Sequence, residues 1–413
     1  MRLSTRLLAA MVLALALTAC GGAGSSGSEP AADAGDTTAD TADTTTDTTD
    51  TTADTSADTP GDAPQRAMAS TDRDAAENFG DDAGASLAWI VEPIAEGAMP
   101  CSPFARTHIG FLAGVLHVVY DGETGPVHGH KVDDLWVVNP IMPSSGTFQG
   151  HAAITDMATS TGTGTIHLAV GSFLPYATVE YAFLDAAGWQ VMSPGGWDIV
   201  GGYASDLPSI ATAPDLPAHL VWVGGSHLGV MAFEADEQTY EKNESVRGGS
   251  TAAVLEDTGK LHVLTGRGHI LGEFVYSTHI EGQWTTETLD AATTIRHFDV
   301  KLAADGGIHV AYINESNSLR YAHHSDNEWN WQTIAEGATA APTIIAAQGV
   351  TYIVFRDDNA SALVIASTGY PQQVAPIYVG DGIVGANATL DASGLVHGSF
   401  CVQGQLHHAR MVQ

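Results

Sequence analysis

Residues 306–331 read GGIHVAYINESNSLRYAHHSDNEWNW. Within it, a near-continuous apolar run around His309 reads as a buried strand, and a second short run, LRYAHH, follows it as a further strand. The first strand recurs along the chain as GVLHVVY around His117, GTIHLAV around His167, LPAHLVWV around His219 and GKLHVLT around His262. After His309 it returns as GVTYIVF around Tyr352 and GLVHGSF around His397. The anchors are separated by 50, 52, 43, 47, 43 and 45 residues, the period of a four-stranded propeller blade.

Each anchor is preceded by a short apolar strand, such as PSIAT or DVKLA, and followed by a third, such as VEYAF, LGEFVY or LHHARM. An aromatic then opens a fourth strand, read here at Trp136, Trp189, Tyr240, Trp284, Trp331 and Tyr370. The seventh repeat ends after its third strand, at Gln413. SLAWIVEPIAEGA (86–98) matches NEWNWQTIAEGA (327–338), with Trp89 aligned to Trp331, so the missing strand is expected at the start of the domain. The fold class is therefore all-β: a seven-bladed β-propeller of four-stranded antiparallel blades, its ring closed by pairing of the terminal strands. Six or eight blades is the alternative.

Before the repeats come two segments of different character. MRLSTRLLAAMVLALALTAC (1–20) carries Arg2 and Arg6 and then an apolar run too short to span a bilayer, the layout of a secretory signal. Its ending, Leu17-Thr18-Ala19-Cys20, resembles the lipobox of bacterial lipoproteins. That resemblance implies export, lipidation of Cys20, and, with Gly21 next, the outer membrane or cell surface, the lipid being the membrane contact. Residues 21–86 form a Thr/Asp/Ala-rich tract that cannot bury enough apolar surface to order itself. It is expected to be a flexible tether with a reach of roughly 45 Å.

Residues 87–413 hold all eight tryptophans and all eighteen histidines, with 33 acids against 11 bases. Such a surface repels nucleic acid and anionic lipid. Cys101 and Cys401 fall at the connection into the first inner strand and at the end of the last blade's second strand, on one face of the ring. They are expected to form a disulfide that staples the closure, with two separate thiols as the alternative.

The hairpins FLDAAGWQV (183–191) and HHSDNEWNWQTI (323–334) place Asp and Gly or Asn just before tryptophan. They resemble a degenerate Asp-box, whose pattern is Ser-x-Asp-x-Gly-x-Thr-Trp, and the HVAY and LRYA strands are similar to those of sialidase-like propellers. The resemblance implies a propeller and raises glycan chemistry. A sialidase needs an arginine cluster for the substrate carboxylate, a tyrosine nucleophile with an acidic partner, and a separate acid. The arginines near inner-strand starts are Arg106, Arg247 and Arg296; the inner-strand acids are Asp156, Asp206 and Asp299. The first reading of each acid is a solvated channel or turn residue, with a catalytic role as the alternative.

The anchor histidines are expected to be buried, each holding a backbone carbonyl between blades. His323 and His324 are adjacent on a strand and so face opposite ways. His128 and His130 share one face of a strand, a spacing that suits two imidazole ligands of a divalent metal; no other cofactor is expected. For binding, the strand-two-to-three turns and blade connections carry Phe173, Tyr176, Trp197, Tyr203, His227, Arg267 and His269. Aromatic rings with a few polar donors suit a glycan or an extended peptide. The sequence thus reads as a monomeric, lipid-anchored binding module for a glycan or extracellular protein, with a glycan-active hydrolase or lyase as the alternative.

Overall fold

The computed structural model describes residues 87–94, 106–122, 125–143, 148, 152–172, 178–192, 207–224, 227–234, 237–246, 249–266, 273–290, 295, 297–325, 328–347, 350–368 and 374–412. The leader and tether proposed for 1–86 lie outside them, and the described residues belong to one compact unit, Asp62–Gln413.

These residues form seven antiparallel four-stranded sheets. Blade one is β2 (Thr107–Leu112), β3 (Val115–Gly122), β4 (Gly125–Val132) and β5 (Leu135–Pro140). Blade two is β6 (Ala152–Ser160), β7 (Thr165–Ser172), β8 (Thr178–Asp185) and β9 (Gly188–Met192). Blade three is β10 (Ser209–Ala211), β11 (Ala218–Gly224), β12 (His227–Glu234) and β13 (Glu237–Asn243). Blade four is β14 (Ser250–Leu255), β15 (Leu261–Gly266), β16 (Phe274–Ile280) and β17 (Gln283–Asp290). Blade five is β18 (His297–Leu302), β19 (Ile308–Ile313), β20 (Ser318–Ser325) and β21 (Glu328–Glu336). Blade six is β22 (Thr343–Ala347), β23 (Val350–Asp357), β24 (Ala362–Ser367) and β25 (Val374–Val379). Blade seven joins β26 (Ile383–Leu390), β27 (Val396–Val402) and β28 (Gln405–Val412) to β1 (Ala88–Pro93).

The chain is thus a seven-bladed β-propeller, closed as the terminal repeats require: β1 pairs antiparallel with β28 from Ala88↔Val412 to Pro93↔His407. The seven inner strands pack side by side in a ring. Among the described residues the buried apolar side chains fall into seven clusters, one at each blade-to-blade interface. Burial on both faces of every sheet explains the near-continuous apolar second strands. Two-residue turns at Ala113-Gly114, Asp133-Asp134, Glu281-Gly282 and Gln403-Gly404 have positive φ at both positions, the twist-matched geometry of tight hairpins.

The register corrects two sequence expectations. Counting across each blade from its anchor, the recurring fourth-strand aromatic is Trp136, Trp189, Trp284, Trp329 and Trp89, each one residue before the position level with the anchor. Trp89 therefore corresponds to Trp329, not to Trp331. Tyr240 and Trp331 sit two residues further along on the same face, and Tyr370 lies outside the described residues. Two tryptophans spaced by two satisfy the alternation equally, so only pairing separates them.

The second correction concerns the anchors. His117, His167, His262, His309 and His397 are buried, but only His219 bonds a backbone carbonyl, that of Pro217 in its own blade, at 2.9 Å. The others bond across to the third strand, always to the residue two before their register partner. Nδ1 of His167, His262 and His309 meets the hydroxyl of Tyr181, Tyr276 and Tyr321 at 2.6, 2.5 and 2.5 Å. Nδ1 of His117 and His397 meets Nε2 of His128 and His408 at 2.9 and 3.0 Å. Diagonal cross-strand neighbours are within reach of rings this long. Burial drives His117, His167 and His309 down to about 4, so these are neutral structural imidazoles.

Candidate functional site

The seven inner strands surround a channel of about 480 Å³. Its wall is mostly small or aliphatic, with Gly110, Ala158, Ala211 and Ala253 in the lining, and its charged members are Asp156, Asp299 and Lys301. Asp156 lies on β6 and Asp299 on β18, each two residues before the inner-strand residue that pairs with the anchor. Asn387 holds the same place in blade seven.

These three side chains do one job in common. Asp156 accepts hydrogen bonds from the Met157 amide at 2.8 Å and, across the interface, from Ile210 at 3.0 Å. Asp299 accepts from Val300 and from Ile344 of the next blade, both at 2.8 Å. Asn387 Oδ1 accepts from Ile109 at 3.3 Å, linking blade seven to blade one. One strand out, Asp121 accepts from Ile154 at 2.7 Å. Each side chain therefore latches an amide of the following blade.

The electrostatics of the channel follow from burial and from one cation. Burial pushes Asp156 up to about 6, against the pull of Lys301 and the Ile210 amide, while Asp299 adds repulsion. Lys301 is raised by Asp299 and Asp156, which outweigh its own burial. His108, 3.9 Å from Asp156, is driven down to about 3 by burial and by the fields of Arg106 and Lys301. Arg106 stands beside His108 and Asp121, and its amide also bonds the Asp121 carboxylate; it is not part of the channel wall.

Of the sequence-derived loop residues, His227 opens β12 and its Nε2 meets the Tyr240 hydroxyl at 2.8 Å. Phe173, Tyr176, Trp197, Tyr203, Arg267, His269, Arg247, Arg296 and Asp206 lie outside the described residues, as do Cys20 and Cys101. Cys401 is buried and disulfide-bonded.

His128 and His130 do share a face of β4, with ring centroids 5.5 Å apart, and His117 joins them from β3. The His117–His128 centroid distance of 5.2 Å at a 4° interplanar angle, with nitrogens 2.9 Å apart, places the rings edge to edge in one plane. One of these nitrogens therefore donates its N–H to the lone pair of the other, which is spent within the pair. Among the described residues no group of three or more His, Cys, Asp or Glu is arranged to hold a metal ion. His323 stacks on His309 at 4.5 Å while His324 packs on Trp329 and Tyr276, on opposite faces of the blade.

Sequence reasoning missed Lys301, whose channel position shows only once β18 is placed, and a polar seam at the ring closure. There Glu92 Oε1 receives Lys131 Nζ at 2.7 Å, Trp136 Nε1 at 3.3 Å and His408 Nδ1 at 2.9 Å. Trp329 Nε1 makes the equivalent bond to Glu287 of the preceding blade at 2.8 Å.

No protein-family description matches the sequence, and no curated protein does. Among solved structures, the chain is similar to AofleA from Arthrobotrys oligospora at 9% identity, covering 81% of this chain and 88% of that one, with a TM-score of 0.44. It is similar to a mutant Aleuria aurantia lectin in complex with Fucα1-6GlcNAc at 12% identity, covering 67% and 97%, with a TM-score of 0.45. It is also similar to a Trypanosoma rangeli sialidase at 12% identity, covering 74% of this chain and 54% of that one, with a TM-score of 0.41. None of these likenesses assigns a ligand or an activity to this chain.

Proposed function

We propose that the chain is an exported lipoprotein, anchored through Cys20 and displayed at the outer membrane or cell surface, whose propeller binds a glycan or an extracellular protein or peptide. The observation that carries binding over catalysis is the commitment of both channel carboxylates. Asp156 and Asp299 each spend their two oxygens on backbone amides, so they serve ring rigidity. Recognition then falls to the loops around the ring, where Phe173, Tyr176, Trp197, Tyr203, His227, Arg267 and His269 are the residues proposed to meet the ligand. Applying the purified chain to a glycan array tests this reading. Saturable binding that Trp197→Ala or Tyr203→Ala removes supports it; binding that both variants retain refutes the loop assignment.

A second reading, a glycan-active hydrolase or lyase, is favoured by one feature. A carboxyl pushed up to about 6, as Asp156 is, lies where a general acid is effective near neutrality. Turnover of sialoside or other glycoside substrates, lost in Asp156→Asn, would support that reading over the first. Lipidation is tested by mass spectrometry of the N-terminal peptide. The Cys101–Cys401 pairing, supported by the disulfide at Cys401, is tested by non-reducing peptide mapping.

A further inference from the structure

Blade five departs from the repeat at two places that meet on its face toward blade four. Its recurring fourth-strand tryptophan, Trp329, is committed to architecture: Nε1 donates to Glu287 Oε1 at 2.8 Å and the ring packs edge-on against Tyr276 at 5.2 Å. Trp331, two residues along on the same face, is an addition to the pattern. It is 36% exposed, one of the large apolar side chains left at the surface. Tyr240, which holds the matching place in blade three, is instead stacked on Trp222 at 5.7 Å and bonded to His227.

The second departure is Arg320. Three residues before the third-strand position level with the anchor, blades one, three, four and six carry Val127, Gly229, Val275 and Val364. Blade five carries an arginine there. Arg320 is level with Tyr312 on β19 and with Thr333 on β21, and Trp331 is level with Ala322 on the same face. The side chain is half-buried and its Nε is shut off from solvent, yet among the described residues that Nε meets no acceptor.

Blade four brings acceptors to the same seam. Asp290 is level with Phe274, whose ring packs on Tyr312 at 5.0 Å. Burial raises the Tyr312 hydroxyl, Arg320 opposes that rise and Asp290 adds to it, so a cation and an anion flank one hydroxyl. Glu287 is exposed and gives one oxygen to Trp329, which leaves the other at the rim. Bulges at Phe274/Val275 in blade four and at Leu319/Arg320 in blade five bend both strands at this level. The Trp331 ring stands beside it, edge-on to Tyr312 at 5.9 Å and 5.7 Å from Trp329.

We propose that Trp331, Arg320, Glu287 and Asp290 form a subsite for a neutral sugar ring on the outer wall of the propeller, in the seam between blades four and five. The inference rests on the glycan reading above and adds to it a place of binding separate from the loops around the ring. An exposed indole offers a flat apolar surface to the C–H face of a pyranose. Each sugar hydroxyl both donates and accepts, so the ring accepts from Arg320 and donates to the carboxylates. A ligand carboxylate or sulfate would gain Arg320 but face Glu287 and Asp290 on an acid-rich chain. A basic peptide would gain the acids but face Arg320. A polyol uses the donor and the acceptors together.

Full-length protein is applied to an array of neutral and acidic oligosaccharides, and the tightest neutral ligand is then titrated by calorimetry. Trp331→Ala and Arg320→Met are compared with wild type, with Trp331→Phe and with the loop variant Trp197→Ala; the urea midpoint checks folding. Trp331→Ala and Arg320→Met should each weaken the ligand about tenfold or more, through loss of the stacked ring or of a charge-assisted bond. Trp331→Phe keeps an aromatic face and should recover most of the affinity. Because Trp331 is at the surface, its alanine variant should keep the wild-type midpoint, and it carries the test even where Arg320→Met fails to fold. Affinity retained within about twofold by Trp331→Ala overturns the subsite; if Trp197→Ala then abolishes binding, the loop reading stands. Binding confined to acidic glycans overturns the neutral-sugar assignment. Absence of binding to any glycan by wild type overturns the subsite and the glycan reading together.

Discussion

Asp299 is where the ring can be tested most directly. Its carboxylate receives the Val300 amide and, across the interface from β18 to β22, the Ile344 amide, both at 2.8 Å. Replacing it by alanine removes two charge-assisted bonds, each of about 1.5–3 kcal/mol when its loss leaves a donor unsatisfied. Channel water can re-satisfy part of this, because the side chain is only half-buried. The net expectation for Asp299→Ala is a loss of about 2–4 kcal/mol. Asp299→Asn has a natural precedent in blade seven, where Asn387 Oδ1 alone carries the latch to Ile109. It keeps the interblade bond, gives up the local one, and should lose about 1 kcal/mol. Urea unfolding followed by tryptophan fluorescence, with the m-value unchanged, measures both. An alanine variant within about 0.5 kcal/mol of wild type, or an asparagine variant no better than alanine, would refute the latch.

Four further outcomes follow from single contacts. A Cβ at Gly229 would stand 2.7 Å from Trp222 Cε2 and 2.8 Å from Cζ2, so Gly229→Ala should destabilise by about 1–3 kcal/mol in the same unfolding assay. Tyr276→Phe leaves His262 Nδ1 without its donor and should lower stability by about 1–2 kcal/mol, whereas the same change at Tyr240, on the half-buried His227, should lose less. Cys401→Ser should lower stability by about 2–5 kcal/mol under oxidising conditions and match reduced wild type. Asp156, pushed up to about 6 in the folded state, contributes stability that is complete below about pH 4 and falls as pH rises through 6; Asp156→Asn should flatten stability across that interval.

Much of the fold was legible because the second strand of every blade is buried on both faces and so repeats as an apolar run with one polar residue. The division of the last blade between the termini was legible because the IAEGA at 94–98 repeats the IAEGA at 334–338, at the end of blade five's fourth strand. The roles of the polar residues were not. Which side chain meets an anchor histidine depends on a diagonal across two strands, and that diagonal is defined only when the hairpin register is known. Trp329 and Trp331 were confused because a spacing of two keeps both on one face. Asp156 and Asp299 could be picked out as inner-strand acids, yet their partners, Ile210 and Ile344, lie 54 and 45 residues away on the next blade. Lys301 carries no signal of its own: a lysine inside DVKLA reads as the polar phase of an alternating strand.

The placement of the few lysines makes sense of the closure. Only Lys131, Lys242, Lys260 and Lys301 occur in 87–413. Lys242 and Lys260 pair with nearby Glu244 and Glu256 at the surface, at 2.6 and 4.0 Å, interactions of small worth. Lys301 offsets two acids inside the channel, and Lys131 meets the one acid supplied by the N-terminal strand. Six blades are held together along continuous chain, but β1 is held by its pairing with β28 and by what its side chains can reach. A six-residue edge strand frays readily unless it is tied down. Glu92 ties it to three partners on two blades, Thr107 donates to the carbonyls of Gly385 and Ser399 across the same seam, and Asn387 latches β2. Polar contacts therefore gather where blade seven, completed by the N-terminal strand, meets blade one.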